Sequence, residues 1–487
     1  MEQIVGFLNN IVWSQALIIL SLGVGVWFSL KTRFMQVRHW GEMVRLLFKG
    51  ESSDQGISSF QALAVSVSGR VGTGNIAGVA TAIALGGPGA IFWMWMIAFL
   101  GAGSAYVESA LAQIYKVEQH GEYRGGPAYY IEKGMGVKWY AMLFAVATVF
   151  AMGVLLPGVQ SNSIASGLEN AFGISPLVTG IGLVVVLAAI VFGGVKRIGR
   201  VAELVVPFMA FAYIAVALVI ITLNITALPS IFMLILKSAF GLEQAFGGII
   251  GMAISWGVKR GIYSNEAGQG TGPQAAAAAE VSHPAKQGLV QAFSVYIDTL
   301  FVSSATAFMI LITGMYNVEN PAGGFLTNNI GDVAIGPAYT QMAVESALPG
   351  FGAAFVGIAL LFFAFTTIMA YYYIAETNVA YIMRNGKMSW LLPLLRISLL
   401  GATLYGVLKT SGLAWAMGDL GVGIMAWINF IAIVIIQKPA LLALVDYEQQ
   451  KKQGLDPVFD PVRLGIKGAD FWERKDVQQR YSNKKVG

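Results

Sequence analysis

The run Ser66-Val-Ser-Gly-Arg-Val-Gly-Thr-Gly-Asn-Ile-Ala-Gly78 lies inside an otherwise apolar stretch, about residues 57 to 85, that is long enough to cross a bilayer. An unbroken membrane helix would not carry this interior. Gly69, Gly72, Gly74 and Gly78 weaken a helix, and Ser66, Ser68, Arg70, Thr73 and Asn75 are polar. Close helix packing explains small residues, but not Arg70 and Asn75 beside them. Backbone that leaves the helix at membrane depth must be satisfied by protein or by a wet cavity. Unwinding at Gly72-Thr-Gly-Asn75 would free N–H groups at the start of a half-helix, the positive end of its dipole. Such an end receives a carboxylate. The amides of Thr73 and Gly74 are the expected donors, and glycine lets a ligand approach the backbone. The Asn75 side chain can donate and accept. A phosphate-loop reading fails, because no strand precedes these glycines.

Other polar residues stand out against the apolar background. A charge at mid-membrane costs about 2.5–3.5 kcal/mol on insertion scales, so Arg70 should face a cavity or a partner. Asp298 and Glu108 are the candidate partners, and a purely structural ion pair is the competing reading. Gln160 follows Pro157-Gly158, which would bend its helix and free carbonyls. It either reaches a small polar ligand or sits in a loop just past the helix end. Thr366 and Thr367 offer hydroxyl oxygens that suit a hard cation, unless both bond their own helix carbonyls. A second glycine-rich run, Gly247 to Gly257, leads into Val-Lys-Arg-Gly-Ile-Tyr-Ser-Asn-Glu-Ala-Gly268. Met252, Ser255 and Trp256 on this segment are expected to line the pocket and limit its size.

The elements that must position these residues are membrane helices. The chain is 487 residues long, 56% hydrophobic and only 12% charged, where soluble domains carry about 25% charged residues. Eleven spans are expected, near 11–30, 57–85, 88–115, 138–160, 174–192, 201–223, 244–258, 288–314, 350–381, 389–408 and 413–436. The first lacks preceding basic residues, so it reads as a retained helix rather than a signal peptide. The seventh should stop near 258 and resume, after an irregular stretch, as an alanine-rich helix near 273–281.

Of the 31 lysines and arginines, 27 fall in the segments on one side of these spans, and only Lys237 and Lys409 fall on the other. The positive-inside rule then puts the N-terminus outside and the C-terminus in the cytoplasm. The basic tail, with Lys451, Lys452, Lys467, Lys484 and Lys485, suits a surface near anionic lipid rather than nucleic acid. The absence of cysteine excludes disulfides, thiolate metal sites and cysteine catalysis.

Helices two to six and seven to eleven form two five-helix units, each opening with a broken helix. Five is odd, so the units have opposite orientation. Paired interruptions of this kind point to a transport site at an inverted-repeat interface. The expected fold is an all-α polytopic membrane protein in four parts. Residues 1–56 hold an extra helix and a cytoplasmic loop, 57–243 the first repeat, 244–436 the second, and 437–487 the basic tail.

Three motifs carry a family resemblance. Gly86-Gly-Pro-Gly-Ala-Ile-Phe-Trp-Met-Trp-Met-Ile-Ala-Phe-Leu-Gly101 resembles the signature of the sodium:alanine symporter (alanine or glycine:cation symporter) family. Val71 to Ala80 and Lys259 to Gly268 are similar to that family too, and the likeness spans about residues 1–445. It implies a leucine-transporter-type fold and sodium-driven uptake of a small neutral amino acid across a bacterial or archaeal inner membrane. Gly72 to Asn75 would match the unwound substrate segment. The carbonyls of Ser68 and Val71 would form half of the fold's common sodium site, with the Phe363 carbonyl, Thr366 and Thr367 as the other half. Gln160 matches a ligand-contacting Val-Gln-Ser/Ala-Asn element. Leu156-Pro157-Gly158 departs from the Gly-Asn commoner in alanine carriers, which raises glycine over alanine. A second sodium can sit in this fold near the residue two positions before Gly72. Here that residue is Arg70, so one sodium per substrate is expected.

The leading function is therefore a sodium-coupled symporter working as a monomer. A carrier for serine or glutamine, or a channel, is the alternative. A channel would want a continuous polar pore among identical subunits, against two broken helices in one chain. An intramembrane hydrolase would need Ser–His, paired Asp or metal ligands, and His39, His120 and His283 all fall in expected loops.

Overall fold

Among the described residues, six helices are long and apolar enough to span a membrane: Gly89–Ile114, Lys138–Phe172, Arg197–Leu223, Pro284–Thr313, Gly352–Met383 and Ser411–Ile435. A bent pair, Glu2–Val12 and Gln15–Lys31, meets at 42° and makes a seventh. Four shorter apolar helices accompany them: Gly74–Gly86, Pro176–Val191, Ile225–Ala239 and Leu391–Val407. The computed structural model describes residues 2–48, 53, 55–192, 195–384, 386 and 388–482. Lys484 and Lys485 lie outside them. The described strands form only two small antiparallel hairpins, within residues 117–124 and 317–328. Leu204, Phe208 and Phe211 on one helix are each at least 75% exposed. Apolar surface of that extent belongs in lipid, so the chain is a multi-pass membrane protein.

The first broken helix starts as its sequence dictates. Ser58 and Gln61 form a capping box, with Ser58 Oγ accepting from Gln61 N at 3.1 Å and Gln61 Oε1 accepting from Ser58 N at 3.1 Å. The helix runs Ser59–Arg70 and then stops. Val71 adopts extended backbone, and after Thr73 a π-turn over Gly74–Gly78 leads into the second half, Val79–Gly86.

The second broken helix departs from the expected span of 244–258. It begins with a short 3-10 turn at Gly247–Ile249, runs Ile250–Asn265 without interruption, breaks over residues 266–271 and resumes as Gly272–Ala278. Lys259 and Arg260 are helical, not loop residues, because each finds a partner at depth. Lys259 Nζ lies 2.8 Å from Asp419 Oδ2, and Arg260 is bidentate to the same carboxylate. A paired charge escapes most of the penalty that would otherwise end the helix.

The two broken helices run in opposite directions side by side. A Cβ on Gly86, where the first one ends, would lie 3.1 Å from Trp256 Cβ and from the Met252 carbonyl oxygen, near the start of the second. At the opposite ends, Ile57 pairs in a parallel bridge with Ala279.

The helix bearing Gln160 also outlasts the expected end at 160. A π-turn at Ala151–Leu155 precedes Pro157, which opens a new helical segment, Pro157–Phe172. Proline fits a first helical position, where its missing N–H costs nothing. Gln160 is therefore held on a helix and 1% exposed, not loose in a loop. Further helices at Leu228–Ala239, Pro337–Ala347 and Lys438–Lys452 fall in segments read as loops or tail from the sequence.

Candidate functional site

The first break is the centre on which the buried polar groups converge. A Cβ at Gly72 would fall 2.4 Å from Thr367 Oγ1 and 3.0 Å from Gln160 Oε1, so only glycine brings backbone into this corner. The Thr73 amide freed by unwinding donates to Gln160 Oε1 at 3.1 Å, and Gln160 Nε2 donates to Tyr371 OH at 3.2 Å. Thr73 Oγ1 is buried without a partner. The Gln160 oxygen thus occupies the amide end at which a carboxylate is expected. A ligand carboxylate would replace it and free the glutamine side chain to contact the ligand.

Asn75 does a different task from the one expected of it. Its Oδ1 accepts from Gly72 N at 2.9 Å, while Nδ2 donates to Asp298 Oδ1 at 2.7 Å, Asp298 O at 3.0 Å and Ser303 Oγ at 3.0 Å. Both ends of the amide are used in holding the break. Asp298 also accepts from Ser264 Oγ at 3.0 Å and Thr299 Oγ1 at 2.7 Å. Ser264 packs on Gly74, whose Cβ would lie 3.1 Å from the Ser264 Cα. One carboxylate thereby ties the first break to the end of helix Ile250–Asn265.

The second break is held by Glu108. Its carboxylate accepts from Gly268 N and Gly270 N, each at 3.1 Å, and from Asn429 Nδ2 at 2.8 Å. Gly268 and Gly270 have φ of +78° and +88°, a backbone open to glycine at no cost. The expected pairing of Arg70 with Asp298 or Glu108 is therefore not formed, because both carboxylates are already filled by amides and hydroxyls. Arg70, 2% exposed, donates from Nη1 to Gln291 O at 3.1 Å and to Ser294 Oγ. Its Nε and Nη2 have no partner. Glu266, Glu108 and Asp298 act on it only through space.

A set of oxygens gathers on the other face of the break. Thr367 Oγ1 lies 2.8 Å from Ser68 O, 2.9 Å from Phe363 O and 3.3 Å from Val71 O. A hydroxyl carries one proton and can donate fully to only one of these three carbonyls. Oxygens drawn together in excess of protons are the chemistry of a cation site built from unwound backbone. Thr366 touches this cluster only through Phe363 O and does not reach the first broken helix. Its Oγ1 turns back to Phe362 O at 3.0 Å and Phe363 O at 2.9 Å on its own helix.

Met252, Ser255 and Trp256 are not brought to the centre either. The helix continues to Asn265, which leaves Ser255 nine residues before Ser264, about 14 Å along the axis at about 1.5 Å per residue. Met252 is farther still. Tyr263 and Ser264 take the level that these three were expected to occupy. Trp256 serves as part of a roof instead. Arg260 Nη1 and Nη2 donate to Asp419 Oδ1 and Oδ2, each at 2.9 Å, and the guanidinium lies 4.3 Å from the centre of Trp415, 5.2 Å from Trp256 and 5.6 Å from Tyr263. Removing one partner of such a buried pair costs about 3–5 kcal/mol. Asp419→Asn should therefore lower the melting temperature of the purified protein in detergent. An unchanged melting curve would mean that the pair contributes little to stability.

Leu156 and Gly158 pack against neighbouring helices. A Cβ on Gly406 would lie 2.3 Å from the Gly158 Cα, so two helix backbones touch there, and Leu156 Cδ1 fills the space beside Gly421. The signal for glycine over alanine thus rests on a helix contact.

Comparison with known proteins gives the same direction as the motifs. Residues 1–461 match the sequence pattern of the sodium:alanine symporter family. The chain is 66% identical to the Bacillus subtilis protein YrbD, over 98% of each chain. It is 54% identical to a sodium/proton-dependent alanine carrier protein of Bacillus sp. strain PS3, over 91% of this chain and 99% of the relative. It is 38% identical to a sodium/alanine symporter of Methanococcus maripaludis, over 89% and 94% of the two chains.

Proposed function

The chain belongs to the sodium:alanine symporter family, and from that premise we propose that it takes up L-alanine with sodium by alternating access, at the break between Val71 and Asn75. The observation that carries this reading is the convergence of three carbonyls on Thr367 Oγ1 directly behind Gly72, whose neighbouring amide is held by Gln160. Cation and carboxylate then share one short piece of unwound backbone, and each stabilises the other. The amino acid carboxylate binds at the Thr73 amide, Gln160 swings to contact the ligand, and Asn75 with Asp298 keeps the break open. Glycine is accepted as a smaller ligand.

Eleven crossings suit this reading, with two inverted five-helix repeats at 57–243 and 244–436 behind an extra N-terminal helix. The antiparallel run of the two broken helices supports the inversion. The protein works as a monomer in the inner membrane, with its N-terminus outside. Because the chain lacks cysteine, single cysteines test the orientation cleanly. A cysteine at Asn328 should react with an impermeant thiol reagent from outside, and one at Gln453 only from the cytoplasm. The reverse pattern would invert the topology.

Arg70 sets the stoichiometry. Two unit charges about 4 Å apart repel by about 4 kcal/mol at an effective dielectric of 20. A second sodium beside this fixed guanidinium would bind roughly a thousandfold more weakly. Reversal potentials of proteoliposomes under set gradients should give one sodium per amino acid. A ratio of two would remove Arg70 from this role. The absence of any sodium dependence would remove the function itself.

A further inference from the structure

The two broken helices meet a second time, away from the substrate break, and the C-terminal segment is wrapped around that meeting point. Ile57 N donates to Ala278 O at 3.0 Å, and Glu280 N donates to Ile57 O at 2.9 Å. These two bonds fasten the start of the first broken helix to the end of the second. Above them lie Arg70, Gln269, Gln274, Gln287 and Gln291, each fully buried and each with side-chain polar atoms that lack a partner. Buried amides and a guanidinium left unmatched are costly. Parting of the fastening would bring water to these groups and satisfy them.

Glu280 is the hub of the fastening. Its carboxylate accepts from Ser53 Oγ at 2.5 Å and Tyr123 OH at 2.9 Å, both from the first half of the chain. It also accepts from Tyr481 OH and, at 3.4 Å, from Arg480 Nη1, both from the C-terminal segment. Arg480 reaches on to Tyr123 OH at 2.8 Å. Trp472, 1% exposed, donates from Nε1 to Gln113 O at 2.8 Å, while the side chain of Gln113 donates to Ala279 O at 2.9 Å. The segment is solvated only in part, with Lys452 and Lys467 exposed. Phe471, Trp472 and Tyr481 are buried at the junction where the first broken helix starts and the second ends.

We propose that residues 470–481 form a latch on the inner gate, which holds the two broken helices together through Glu280 and so sets how often the passage opens to the cytoplasm. Opening toward that side requires the Ile57–Ala279 bridge to part, and the latch is the set of bonds that spans it. The inference assumes alternating access but not the identity of the substrate. Its test accordingly uses a readout that needs no substrate.

Gln287→Cys in the otherwise cysteine-free full chain places one thiol above the fastening. Everted membrane vesicles expose its cytoplasmic side to an impermeant maleimide. The rate of labelling is compared between the native C-terminus, Tyr481→Phe and a chain ending at Arg474. Tyr481→Phe keeps the ring packing and removes only the bond to Glu280. A hydrogen bond to a charged group is worth roughly tenfold in an equilibrium, so labelling should speed up about tenfold in Tyr481→Phe and further in the shortened chain. A cysteine at Asn328, labelled from outside in right-side-out vesicles, should keep its rate in both backgrounds if only the gate has changed. Equal labelling of Gln287→Cys with and without the Tyr481 hydroxyl overturns the proposal, whether or not the shortened chain folds.

Discussion

Gln160→Ala should lose between about tenfold and a few hundredfold in alanine affinity, while the protein still inserts and purifies. The expected size follows from the bonds. Gln160 Oε1 accepts from the Thr73 amide, and Nε2 donates to Tyr371 OH. Removing the side chain leaves the ligand without a polar contact in the bound state, and this loss outweighs the gain from a Thr73 amide that the carboxylate no longer has to take from Gln160 Oε1. Each unsatisfied buried group costs about 1–3 kcal/mol, more if charged, and about 1.4 kcal/mol is tenfold. Asn75→Ala should reach a similar loss by a different route. It releases Gly72 N, Asp298 and Ser303 together, so the break itself relaxes. The two variants are separable: Asn75→Ala lowers the melting temperature of the ligand-free protein, and Gln160→Ala changes it much less. Alanine titrations and melting curves of the purified variants check both statements. Near-normal binding in both would place the substrate elsewhere.

Thr367→Ala should raise the sodium concentration for half-maximal uptake by about tenfold or more, the worth of one hydroxyl to a charged partner. Thr366→Ala should have a clearly smaller effect. The asymmetry comes from geometry. Thr367 Oγ1 meets carbonyls of the first broken helix, Ser68 and Val71, whereas Thr366 Oγ1 bonds carbonyls of its own helix and the Met209 sulfur, and nothing on the first broken helix. Thr367→Ser keeps the hydroxyl and should restore most of the sodium affinity. Sodium titrations of uptake at saturating alanine read all three. Equal effects of Thr366→Ala and Thr367→Ala would show that both hydroxyls face the ion during transport. Parental sodium dependence in Thr367→Ala would remove the ion from this cluster.

The parts of the site legible in the sequence are those where a polar residue interrupts an apolar run. Gly72 to Asn75, Gln160 and the threonine pair stood out for that reason, and the structure gathers Gly72, Gln160 and Thr367 within one corner. What the sequence hid was pairing across long separations. Lys259 and Arg260 look like the end of a helix because their partner, Asp419, is 159 residues beyond Arg260. That single pairing shifts the second break from near 258 to residues 266–271. It thereby moves Met252, Ser255 and Trp256 away from the centre and brings Tyr263 and Ser264 toward it.

Asp298 and Glu108 were recognisable as buried carboxylates. Their partners were not, because backbone amides such as Gly268 and Gly270 leave no mark in a list of side chains. The run Gly-Gln-Gly-Thr-Gly at 268–272, just after Lys259 and Arg260, held the one available signal. The C-terminal segment was hidden for a related reason. Its basic composition suggests a solvated tail, yet Trp472 and Tyr481 bury against the junction of the two broken helices.

The central claim is that sodium and alanine move together through the break at Gly72. Purified protein in proteoliposomes with an imposed inward sodium gradient tests it most directly, with glycine, L-alanine, D-alanine, serine and glutamine as alternative labelled substrates. The account predicts that L-alanine accumulates above its outside concentration, that glycine follows more weakly, and that both collapse to equilibrium when sodium is equal on the two sides. Accumulation that ignores the sodium gradient, or a gradient that drives glutamine while alanine stays at equilibrium, would contradict it.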